Sequence, residues 1–114
     1  MAFIEATHDL LHYVTYNDHC NECIQDQVRL LAHDAATPVN RTPNASEPRY
    51  YLGFQSWDHK REVILSRLSC IRHDAESCGF FRYSIFKVLW DEVISSAIAE
   101  GYPALPDLLN QRDC

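Results

Sequence analysis

Apolar residues recur at helical spacing in four stretches of the chain, separated by polar text. Phe3, Ile4, Leu10, Leu11 and Val14 predict a first helix over residues 3–16, with Thr7 available as an N-cap part-way along. Cys20, Cys23, Ile24, Val28 and Leu31 share one stripe of a second helix, expected from about Asp18 to Asp34 and opened by the capping residues Asn17 and Asp18. From Ala35 to Pro48 the periodicity stops, and Pro, Asn, Ser and Thr mark a loop that is long for a compact domain. Arg49 to Gln55 is aromatic and extended in character. A single run of this kind makes no sheet by itself, so it is expected to lie across the helices. Ser56 is a natural N-cap for a third helix reaching about His73, with Trp57, Ile64, Leu68 and Ile71 on one side and Val63 and Cys70 widening the stripe. Asp74 to Gly79 reads as a loop, and Pro106 to Asn110 as a last short turn. The predicted fold class is all-α: about four helices in a small bundle, with a long loop between the second and third.

The fourth stretch, Gly79 to Gly101, differs from the others because it carries apolar residues on two faces. Phe86, Leu89, Trp90, Val93, Ile94 and Ala97 form one continuous band of the kind that faces a core. Phe81, Ile85 and Val88 form a second stripe, about a third of a turn away, which ends at Glu92. A chain of 114 residues has little core with which to cover both faces. The second face is therefore expected to meet another protein.

Composition narrows the partner. Hydrophobic residues make up 46% and charged residues 23% of the chain, the balance of a single folded domain. The net charge of -6 argues against a nucleic-acid partner, because affinity for phosphate backbones comes from clustered Lys and Arg. No run approaches membrane-spanning length, and the first residues lack the basic start and unbroken apolar core of a secretory signal. The expected location is thus cytoplasmic, with no membrane partner. Five cysteines, an odd number, are then expected as free thiols.

Few residues suggest chemistry. Cys20 and Cys23, with Cys70 and His73, form a CxxC and a CxxH, four ligand types suited to tetrahedral zinc if the second and third helices run antiparallel. Their position on well-formed apolar stripes favours small core residues instead, and no metal or other cofactor is expected. His8 and His12 share a helix face without the Glu of an HExxH motif, and three glycines leave no phosphate-cradling loop. The expectation is a non-enzyme. A zinc-stabilised helical module is the second reading, and a small enzyme with a site not legible in the residues is the third.

The residues assigned to partner contact are Tyr50, Tyr51, Phe80, Phe81, Tyr83, Ile85, Val88 and Leu89. Aromatic and large apolar side chains dominate such surfaces because they bury much area for few frozen torsions. In size, acidic balance and helical make-up, and along MAFIEATHDLLHY and FFRYSIFKVLWDEV, the chain resembles the small quorum-sensing anti-activators of Pseudomonas that bind the autoinducer receptor LasR. The resemblance implies a homodimer that binds a transcription factor's ligand-binding domain and blocks its dimerisation. It assigns no individual contact residue.

Overall fold

The main apolar stripe of each predicted helix, Cys23 apart, supplies the buried side of a helix in the computed structural model, which describes residues 2–16, 22–39, 53–54 and 56–102. Helix α1 (Ala2–Thr15) buries Phe3, Ala6, Leu10 and Val14. Thr7 is buried as well, and its Oγ1 donates to the Ile4 carbonyl at 2.7 Å. It is a mid-helix residue whose hydroxyl is satisfied within its own turn, not the N-cap its chemistry suggested. Helix α2 (Glu22–Ala36) buries Ile24, Val28, Leu31, Ala32 and Ala35 and runs two residues past the predicted end; its predicted start falls outside the described residues.

Helix α3 (Trp57–Cys78) begins as expected. Ser56 is extended, and its Oγ accepts from the His59 N–H at 3.1 Å. The helix does not stop near His73. Asp74 to Glu76 contain no helix breaker, Ala75 is buried against the core, and the chain turns only at Gly79. There φ is 76°, a left-handed conformation that suits glycine, and the Gly79 N–H caps the carbonyls of Ala75 and Glu76.

Gly79 to Gly101 is not one helix. Phe80–Arg82 forms a single 3-10 turn, Tyr83 is extended, and helix α4 (Ser84–Ala99) starts after it. The break lets Phe80 point inward while α4 leaves in a new direction. Phe86, Trp90, Val93 and Ala97 of α4 are buried, with Leu89 and Ile94 half-buried beside them, which is the predicted core band.

Helix α1 packs between α2 and α4, and α2 packs on α3, whereas no Cα atoms of α3 and α4 approach within 8 Å. Phe3 at the start of α1, Ala35 at the end of α2, Trp57 at the start of α3 and Tyr102 just past α4 surround one cavity, so the helices alternate up and down. The wider α3–α4 side is filled by large side chains. At one end, Trp57 and Phe3 lie 5.5 and 5.7 Å from the Tyr102 ring; at the other, Phe80 lies 5.8 Å from Phe86. Arg67 and Asp34 tie α3 to α2 through an ion pair at 3.0 Å. The loop between α2 and α3 is closed at its base, where the Phe54 N–H donates to the Pro38 carbonyl at 2.9 Å beside a bridge between Val39 and Phe54. The rest of that loop, the extended run apart from Gly53 and Phe54, and the predicted turn from Pro106 to Asn110 lie outside the described residues.

One cysteine corrects the expectation of free thiols throughout. Cys70 is engaged in a disulfide, while Cys23 and Cys78 are exposed.

Candidate functional site

The zinc reading finds no support. Cys20 lies outside the described residues, Cys70 is committed to a disulfide, and His73 and Cys23 are exposed. Among the described residues no group of three or more His, Cys, Asp or Glu is placed to hold a metal ion. The competing reading needs correction too, because Cys23 sits on the solvent side of α2 while Ile24 beside it is buried. His8 and His12 are both exposed on α1, and the His12 ring lies tilted against Tyr16 with centroids 4.8 Å apart.

The predicted partner-contact residues separate into three groups. Tyr50 and Tyr51 lie outside the described residues. Phe80 is a core residue, 3% exposed, so its assignment to a partner surface is corrected. Phe81 and Tyr83 are half-buried. Phe81 stands edge-on to Phe86 at 5.3 Å and to Trp90 at 6.0 Å, which makes it a lid on the core more than a contact for a partner. Placing Phe81 on one stripe with Ile85 and Val88 assumed a continuous helix, and the 3-10 turn breaks that register.

Ile85 and Val88 remain, and they face solvent with 60% and 65% of their surface exposed. Together with Ser84 and the half-buried Leu89 they line an open groove of about 200 Å³ on the outer side of α4. On a helix of 3.6 residues per turn, Ser84, Ile85, Val88, Asp91, Glu92 and Ser95 share that side, and all six are exposed. The surface is apolar in its N-terminal half and acidic in its C-terminal half. Arg82, exposed, lies over the Tyr83 ring at 5.5 Å just before it.

A second concavity escaped the sequence reading. Phe3, Ala35, Trp57, Lys60, Glu100 and Tyr102 enclose about 260 Å³ at the end of the bundle. Lys60 reaches the exposed end of α2, donating to the carbonyls of Thr37 at 2.7 Å and Ala35 at 3.2 Å. Burial lowers its pKa, and the charges of Glu100 and Asp34 hold it partly back up. The Tyr102 phenol is pushed up to about 12, first by burial and then by the Glu100 carboxylate, against an opposing pull from Arg61. The available signal was an aromatic placed immediately after the Gly101 stop, where a hydrophobic contact commonly folds back on a helix end.

No family model matches the chain, and no curated protein and no solved structure shows significant similarity to it. No helix among the described residues is long and apolar enough to cross a membrane.

Proposed function

We propose that the protein is a non-enzymatic regulator that acts by protein docking, an inhibitor or anti-activator that binds a transcription factor such as a quorum-sensing receptor and blocks its dimerisation. The observation that carries this reading is the outer side of α4, where Ile85 and Val88 stand in solvent next to a groove that no other described element covers. Large apolar side chains grouped on an exposed helix face characterise surfaces that lay against another helix or groove. A borrowed apolar face competes directly with the target's own subunit, so inhibition needs no catalytic residue.

In the absence of target, the same face serves a homodimer. An antiparallel pairing centred between Ile85 and Val88 stacks each Ile85 on the second copy's Val88 and carries Arg82 toward the second copy's Asp91. A parallel pairing would instead bring Asp91 and Glu92 of the two copies together, which like-charge repulsion opposes. Ile85→Lys with Val88→Lys is the test, because it sets like charges against each other at both facing positions. Both sites are exposed, so far-UV circular dichroism should match the parent, while binding to a purified receptor ligand-binding domain should be lost in a pull-down of defined components. Unchanged binding by the double variant would remove this face from the proposal.

A further inference from the structure

The bundle-end cavity combines features that the docking reading does not use. Three aromatic rings border it, from the start of α1, the start of α3 and the segment after α4: Phe3 and Tyr102 are 2% and 1% exposed and form its floor, while Trp57 is partly open to solvent. Two opposite charges sit among those rings. Lys60 spends two of its three ammonium protons on the carbonyls of Ala35 and Thr37, leaving a third N–H. Glu100 lies near enough for its charge to act on Lys60, yet the two form no ion pair within 4.0 Å. An unlike pair held apart inside a partly desolvated cleft attracts a molecule that carries both charges on neighbouring atoms. The volume of about 260 Å³ falls just under the usual range for ligand pockets, which limits an occupant to about one ring.

We propose that this cavity binds a small zwitterion with an aromatic side group, an aromatic α-amino acid in chemical class, with its carboxylate on Lys60, its ammonium on Glu100 and its ring against Trp57. A cation alone is repelled by Lys60 and an anion alone by Glu100, so each singly charged analogue loses one contact and with it the attraction that offsets that repulsion. Tyr102 supports the arrangement as well. Its ring closes the inner end of the cavity beneath the two charges.

The test is a titration of the isotopically labelled full chain with L-phenylalanine, followed by amide chemical shifts. Saturable shifts are expected at Phe3, Trp57, Lys60, Glu100 and Tyr102. Phenethylamine and 3-phenylpropanoate, each keeping one charge, should bind roughly tenfold or more weakly, the scale of one hydrogen bond to a charged group. Glu100→Gln should weaken L-phenylalanine by a similar factor. Because Lys60 also caps α2, Lys60→Gln is informative only if circular dichroism shows it folded, and the analogue series on the parent chain decides the matter without it. Absent or non-saturable shifts at the cavity, or singly charged analogues binding as tightly as L-phenylalanine, would overturn the proposal.

Discussion

The two sides of α4 have similar side chains and opposite fates. Phe86, Trp90, Val93 and Ala97 are buried, whereas Ile85 and Val88, each within two residues of one of them, face water. Apolar content does not separate the two sets; position relative to the neighbouring helices does. Helix α1 covers one flank of α4, α3 stays beyond 8 Å, and Phe80, Phe81 and Trp90 fill the intervening space from inside. Nothing among the described residues reaches the outer flank. The large inner side chains each contribute about 2 kcal/mol by leaving water, and the outer ones forgo that gain in the isolated chain. Among the described residues the other elements shelter one apolar face of α4 and leave the second uncovered.

That contrast yields predictions of decreasing size. Phe86→Ala should cost about 3–5 kcal/mol, read as a lower urea midpoint at unchanged slope, since it empties a fully buried site on the inner side. A loss under about 1 kcal/mol would place Phe86 with the outer residues. The inner side continues past the helix to Tyr102, which is 1% exposed. Its phenol is protonated in both folded and unfolded chains below pH 10.0, so the stability this burial contributes is fully present there. Between 10.0 and about 12 the unfolded chain releases that proton while the folded chain keeps it. Stability is therefore lost as pH rises through this window. Lys60, with its lowered pKa, acts in the opposite sense at alkaline pH, so the comparison is made with Tyr102→Phe, which removes only the phenol and should decline less steeply above pH 10.0. A parallel decline in the two proteins would mean that the phenol is hydrated.

Gly79→Ala should cost about 1–2 kcal/mol, because φ of 76° strains any side chain at the corner that separates α3 from the turn before α4. Thermal melts would register this, and an unchanged midpoint would show that the corner relaxes. Smallest of all, Ile85→Lys with Val88→Lys should alter stability by less than about 0.5 kcal/mol under conditions where the chain is monomeric. A larger loss would show that the outer side is cryptically part of the core.

How far the residues alone reveal this molecule depends on which interaction decides each feature. Periodic stripes such as Ile64, Leu68 and Ile71 placed the helices and most of the core, because burial at helical spacing is a local pattern. Ser56 was legible for the same reason, its cap being made three residues away. The features that misled depend on tertiary context. The break at Phe80–Arg82 has no proline or strong breaker beyond Gly79, and it forms because Phe80 is drawn into a core built by other helices. Cys23 shares a stripe with Ile24 in one dimension, yet falls outside the contact between α2 and its neighbours in three. The extension of α3 to Cys78 rests on the burial of Ala75, and the Cys70 disulfide on a chain path that spacing does not encode. At the candidate docking face, Ile85 and Val88 were identifiable as surplus apolar residues, while the cavity around Lys60 and Glu100 joins the ends of four helices and leaves no contiguous signature.

Sedimentation equilibrium of the full chain beside its Ile85→Lys, Val88→Lys variant tests the central claim most directly. The account predicts a parent that reaches twice the 13.2 kDa chain mass and a variant, equal in circular dichroism, that stays at the chain mass. A parent that remains monomeric at every concentration, or a variant that associates as strongly as the parent, would contradict it.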